Sequence, residues 1–180
     1  LFPYTTLFRS MSKTIDYYFT PVSPWAYLGH ARFSAIVARA GATVRPRPVD
    51  YGKIFPVSGG LPLKQRPAQR QAYRLMELRR WRDFLGQPLT IEPKYFPVDA
   101  NLASLMLTAC LAQGHDATMR LAGSMLRAVW AEERNLADVD TLIALAQAAP
   151  AAPVPQPRST SEVAPESAPG SACTMARTSR

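Results

Sequence analysis

Cysteine and histidine are scarce in this chain: two of each in 180 residues, and neither pair is placed for joint chemistry. Cys110 and Cys173 are too few for a disulfide framework, lie in no C-x-x-C, and have no metal-ligand spacing. His30 and His115 stand 85 positions apart, with no cysteine or carboxylate at ligand spacing, so no metal is expected and His30 should pack or cap within a helix. Long apolar runs are missing too. None reaches the length of a membrane span, and the first ten residues lack the charged-then-apolar order of a secretory signal. A reducing cytoplasm is the expected compartment.

Acids are outnumbered. The chain carries 21 Lys+Arg against 13 Asp+Glu, a formal net charge of +8, and residues 11–149 keep 17 basic against 11 acidic residues. Such a balance admits nucleic acid, a membrane surface or small anions as partners. Aromatic residues do not interleave the basic ones and no nucleic-acid motif occurs, so nucleic acid is set aside along with the membrane.

What is present begins at residues 17–30, YYFTPVSPWAYLGH. Ile15 to Phe19 is short, aromatic and β-branched, and reads as a buried strand ended by Thr20-Pro21. Ser23-Pro24 then reads as a helix start. Serine accepts from the free amides of a first turn, and proline at the first helical position has φ preset and loses no hydrogen bond. The helix should run to about Ala40, with Leu28, Phe33, Ile36 and Val37 apolar and Gly41 as its left-handed cap. Ala42 to Val49 reads as extended, its two prolines pushing it toward a sheet edge or a strand that ends early. Strand, helix and strand make a βαβ unit with parallel strands.

From Lys64 the period turns helical. Ala68 to Leu85 places Tyr73, Met76, Leu78, Trp81 and Leu85 on one broad apolar face, and Gly86-Gln87-Pro88 stops it. Further helices are expected at about 100–113, 116–133 and 138–148, and Asn101 to Ala149 holds no proline. The fold class is α/β, a sheet interrupted by an all-α insertion spanning about 64–149. The ends look foreign to this middle. Met11 reads as a natural start, with residues 1–10 a non-native leader. Residues 150–180 carry six of the chain's 17 prolines among Ser, Ala and Thr, and should be disordered.

A small polar residue between a strand and a helix N-terminus is the geometry of thioredoxin-like folds, whose redox members place C-x-x-C there. The matching four residues are Ser23-Pro24-Trp25-Ala26, so disulfide exchange at this position is excluded. What remains is a hydroxyl that can donate to a sulfur anion supplied by another molecule. Capping alone would also account for such a serine.

FTPVSPWAYLGHARF, RPVDYGKIF, GGLP, RQAYRLMELRRW with LGQPL, PKYFP and AVWAEERNLADVDTL, in that order, resemble the 2-hydroxychromene-2-carboxylate isomerases. That family shares the DsbA-like branch of the thioredoxin superfamily with the kappa-class glutathione transferases. The likeness covers about residues 13–149. It implies a thioredoxin-like (DsbA-like) sheet with the helical insertion, glutathione as cofactor, a small aromatic substrate, and isomerisation by reversible thiol addition; a homodimer is compatible with it. By this resemblance the Ser23 hydroxyl stabilises the glutathione thiolate. Trp25 and Tyr27 would line the aromatic pocket, with core packing as the alternative for both. Lys53 or Arg70 would meet a carboxylate of glutathione or substrate. The alternative for Arg70 is a solvated face shared with Arg66 and Arg74, four residues apart. Glu132-Glu133, at a helix end, should face solvent.

Two departures from the family pattern stand out. An asparagine is common where this chain has Gly60, which removes one expected polar contact. Nothing in residues 150–180 resembles the cis-proline loop and last two strands that complete the glutathione site in relatives, so the C-terminal strands are expected to be missing. A kappa-type transferase and an inactive truncated fragment are the rival functions.

Overall fold

The computed structural model describes residues 13–148. The expectations for the leader, Met11, the Pro-rich segment and Cys173 lie outside the described residues. The element order is β1 (Thr14–Phe19), α1 (Pro24–Ala40), β2 (Thr43–Pro48), α2 (Tyr51–Ser58), a 3-10 turn at Leu63–Gln65, α3 (Ala68–Leu85), α4 (Asn101–Cys110), a second 3-10 turn at Leu111–Gln113, α5 (His115–Trp130) and α6 (Val139–Ala148).

β1 and β2 pair in parallel, with Ile15 opposite Val44, Tyr17 opposite Pro46 and Phe19 opposite Pro48. The prolines fall where the ladder does not need them. Thr43 and Val49 donate their amides to Lys13, just ahead of β1, and to Phe19 at its end, so the odd-numbered positions of β2 face β1 and the even-numbered ones face away. Pro46 and Pro48 therefore occupy the outer side, where a missing N–H costs no hydrogen bond and discourages a further strand. Across the ladder Asp16 takes Arg45 at 2.8 Å and Arg47 at 3.2 Å. The Arg45 hydrogen bond holds its carboxyl below the ordinary aspartate value.

The core is built around α5, which buries Leu121, Ala122, Met125, Leu126, Val129 and Trp130. It packs against α1, α4, α6 and β2. Phe19 from β1, Leu28 from α1, Leu78 from α3, Leu107 from α4, and Leu142 and Leu145 from α6 close on it. No helix among the described residues is long and apolar enough to cross a membrane.

Three differences from the sequence reading have physical causes. Residues 51–58 form α2, where no helix was expected: YGKIFPVS holds a glycine and an internal proline, both poor helix formers, but Asp50 caps its start by accepting from the Gly52 amide at 2.8 Å and Gly59 closes it with φ of 74°. The broad apolar face of α3 is not buried as a unit. Leu78 is wholly buried and Leu85 half-buried, whereas Tyr73 and Trp81 are about half exposed. At 100° per residue Tyr73 lies roughly 140° around the helix from Leu78. The inward face is Gln71, Arg74, Leu75, Leu78, Arg82 and Leu85. α5 also stops at Trp130, three residues early, because the chain turns through Glu133 at φ of 51°.

Two outcomes test this core. Leu126→Ala should lower unfolding free energy by about 2–5 kcal/mol in urea denaturation, while Phe84→Ala, three-quarters exposed on α3, should stay within about 0.5 kcal/mol; equal effects would contradict the packing. His30, half-buried on α1 with Nε2 3.1 Å from the Met119 carbonyl and a buried Nδ1 without a partner among the described residues, is held below the ordinary histidine value by burial. Its neutral form is favoured by folding, so the contribution is complete above about pH 6.5 and is lost as pH falls below that value. The urea midpoint should drop between pH 7.5 and about 5.5 by more than in His30→Gln; parallel pH profiles would refute it.

Candidate functional site

The site grows from the β1–α1 corner. The Ser23 amide donates to the Thr20 carbonyl at 3.1 Å, closing a tight turn, and Ser23 adopts an extended φ of −80° and ψ of 124°. Its Oγ accepts from the Ala26 amide at 3.2 Å, the N-cap bond that the Ser-Pro pair predicts. Capping uses only a lone pair of the hydroxyl. Its hydrogen has no acceptor among the described residues and is available to a ligand. With Pro24 lacking an N–H, the Trp25 amide adds a second donor to the positive end of the α1 dipole.

Ser23 borders a cavity of about 280 Å³ whose other walls are mostly aromatic: Tyr17, Tyr18, Phe19, Trp25, Phe33 and Tyr51, with Ala26 and Gly29. Tyr17 is the organising ring, stacked on Phe19 and on Phe33 at 4.8 Å each. Burial pushes its phenol above the ordinary tyrosine value, with Tyr51 adding to the effect, so it stays protonated. Among the described residues no histidine or carboxylate lines this cavity. His30 follows Ser23 by two turns, about 10 Å along the axis, and its Nε2 is engaged by Met119. The site can hold and polarise an anion, but it has no base to make Ser23 a nucleophile.

The structure brings some of the expected residues together and separates others. Trp25 is 42 % exposed and lines the Ser23 cavity. Tyr27 does not: it is buried in the core and its hydroxyl donates to the Pro88 carbonyl, because it points to the opposite side of α1 from the cavity wall. Lys53 sits in the first turn of α2 and lines an adjoining cavity of about 560 Å³, which shares Tyr51 with the first. Its Nζ is 3.9 Å from Asp50, an exposed and weak pairing. Arg70 lies exposed in the first turn of α3 and lines neither cavity. The shared face of Arg66, Arg70 and Arg74 does not form. Arg66 precedes the helix and donates to the Leu61 carbonyl at 2.9 Å, and Arg74 turns inward. Glu132 and Glu133 are exposed as expected, and also pin the chain: Glu132 pairs Arg127 at 2.8 Å and Glu133 accepts from the Lys94 amide.

The residues present fit the sulfur end of glutathione. They offer a free hydroxyl donor, a backbone donor and a helix N-terminus beside an apolar wall, with Lys53 one cavity away for a carboxylate. A Cβ at position 60 would stand 2.5 Å from the Phe55 ring, which stacks on Tyr51 at 5.3 Å, so any side chain there requires Phe55 to shift. Sequence reasoning missed Tyr17, Phe33 and Tyr51 as cavity walls. The period-two spacing of Tyr17 and Phe19 was the available signal for the first of them.

A parallel βαβ pair, a capped helix start in the redox position and a helical block inserted behind them define a thioredoxin-like protein. The chain belongs to the DSBA-like thioredoxin domain family, whose match spans residues 14–153. It is similar to the 2-hydroxychromene-2-carboxylate isomerase of Sphingobium xenophagum, 26% identical over 121 residues, covering 67% of this chain and 60% of that protein. The enzyme of the same name from Pseudomonas putida is 24% identical over 119 residues, covering 66% and 56%. A solved 2-hydroxychromene-2-carboxylate isomerase structure superposes with a TM-score of 0.56 at 25% identity, covering 74% of this chain and 64% of that one. A Nitrosomonas europaea protein provisionally assigned as a protein disulfide isomerase superposes at 0.54 with 18% identity, a likeness of fold alone. The chain spans about 60% of the length of the curated relatives it matches.

The Gly60 geometry gives a direct test. Gly60→Asn should destabilise by about 1–3 kcal/mol through the Phe55 clash, and Phe55→Ala in the same chain should recover part of that stability; strictly additive effects would contradict it.

Proposed function

We propose that this chain carries the thiol-activating half of a glutathione-dependent isomerase acting on 2-hydroxychromene-2-carboxylate or a similar aromatic-catabolism intermediate. The observation that carries the reading is the Ser23 hydroxyl, which caps α1 through a lone pair while keeping its hydrogen free beside an aromatic cavity without a base. Relatives named 2-hydroxychromene-2-carboxylate isomerase support the substrate class.

Ser23 and the α1 N-terminus would hold the sulfur of glutathione, which would supply a thiolate for reversible addition to a conjugated enone. The chain's own part is electrostatic. The Ser23 O–H donates to the sulfur anion, and the α1 N-terminus stabilises the same charge, which together lower the thiol pKa toward neutrality. Tyr17, Trp25 and Phe33 exclude water and stack on a flat substrate. Lys53 meets a carboxylate once Asp50 releases it. No proton needs to pass through Ser23, so the absence of a neighbouring base is no obstacle.

The test is an isomerisation assay with 2-hydroxychromene-2-carboxylate and glutathione, with free thiol titrated in parallel. The rate should depend on glutathione, the thiol should remain unspent, and Ser23→Ala should lose about 100-fold or more in rate while keeping its helical circular dichroism. Stoichiometric loss of thiol would identify a kappa-type transferase instead. A Ser23→Ala rate equal to the parent's would end the proposal.

A further inference from the structure

The two edges of the sheet are unlike. β2 turns Pro46 and Pro48 to its outer side, so that row lacks donors a further strand would need. On β1 the odd-numbered residues face β2, as Lys13 and Phe19 show by accepting from Thr43 and Val49, and Thr14, Asp16 and Tyr18 therefore turn their amides and carbonyls the other way. Among the described residues no strand pairs with that row. It also stands in the open: Thr14, Ile15 and Asp16 are exposed, and Tyr18 is 63 % exposed.

Nothing in β1 blunts this edge. The strand TIDYYF is β-branched and aromatic, holds no proline or lysine, and its one charge, Asp16, is answered by Arg45 and Arg47 from β2. The occupant that fits is another β1, laid antiparallel, and charge chooses its register. A two-fold axis at Asp16 would set two carboxylates directly opposite, which is unfavourable. With the axis at Tyr17, Asp16 faces the second copy's Tyr18 and Tyr18 faces the second copy's Asp16, each pair exchanging two main-chain hydrogen bonds, while the two Tyr17 rings meet on the α1 side. An edge matched to itself closes at two copies, because the prolines of β2 end the sheet on both flanks.

We propose that a second copy of this chain docks on the open edge of β1, forming a four-stranded sheet in the order β2-β1-β1-β2 with its two-fold axis at Tyr17. The proposal does not depend on glutathione or on Ser23.

The full chain is to be followed by sedimentation equilibrium from about 1 μM to about 300 μM, with amide hydrogen exchange read by NMR at both ends of that range. A monomer and dimer equilibrium is expected. The Asp16 and Tyr18 amides should exchange about tenfold or more slowly at the high end, while those of Tyr17 and Phe19, which face β2, should not change. Tyr18→Pro removes an outward donor and none that β2 uses, and should weaken the dimer about tenfold or more. If that variant loses its helical circular dichroism, Tyr18→Glu and Tyr18→Lys decide: with Asp16 opposite, the glutamate should dimerise about tenfold more weakly than the lysine. A chain that stays monomeric throughout, assembly beyond the dimer, Asp16 and Tyr18 amides that exchange as fast in the dimer as in the monomer, a Tyr18→Pro dimer as strong as the parent's, or equal dimers from the glutamate and lysine variants would each overturn the proposal.

Discussion

The close approach of α1 to α5 is the constraint on which the rest depends. α5 carries more buried side chains than any other element among the described residues, and α1 reaches it where Gly123 faces His30: a Cβ on that glycine would stand 2.9 Å from the His30 Nε2. No side chain fits between them without displacement. That contact sets the depth of α1 against the core, and Tyr17 then stacks on Phe33 to seat β1 along the same helix. The corner joining β1 to α1 has no freedom left, and Ser23 occupies that corner. A rigid pair of elements thus holds a hydroxyl whose position would vary in a free loop.

The chemistry open to this corner is narrow. The N-cap bond to Ala26 uses a lone pair of the hydroxyl oxygen and leaves its hydrogen free to rotate, so the group can donate to a ligand in the aromatic cavity. Without a histidine or carboxylate alongside, it cannot be ionised at neutral pH and acts only by stabilising a charge brought to it. The same arrangement that replaces C-x-x-C therefore removes redox chemistry from the position and keeps its electrostatics. The matched relatives are named isomerases, a reaction with no net oxidation or reduction, and such chemistry suits a site of this kind.

Much of this was legible before any coordinates. β1, α1 and α3 lie within a residue of their expected limits, because each ends in a strong local signal: Thr20-Pro21, Ser23-Pro24 with Gly41, and Gly86-Gln87-Pro88. The edge position of β2 followed from its prolines. α2 was not legible from propensity, since its caps Asp50 and Gly59 outweigh a glycine and a proline that argue for a loop. Trp25 and Tyr27 carried the same two readings, pocket wall or core, and the structure puts Trp25 on the cavity and Tyr27 in the core. Two residues apart on a helix they differ by about 200° in direction, and only the position of the neighbouring loop at Pro88 says which of them turns inward.

Local chain chemistry by itself determined where the elements start and stop, the parallel βαβ order, and the donor at the head of α1, because caps, prolines and apolar periods act over a few residues. Only the tertiary structure decided which face of α3 is inside, that Lys53 neighbours the Ser23 cavity while Arg70 does not, and that Arg74 lies over Phe96 and Trp130. The physical reason is that burial belongs to pairs of surfaces. A helix with aromatic residues on one side and arginines on another can turn either way, and the choice falls to the shape of α5 and the loop packed against it.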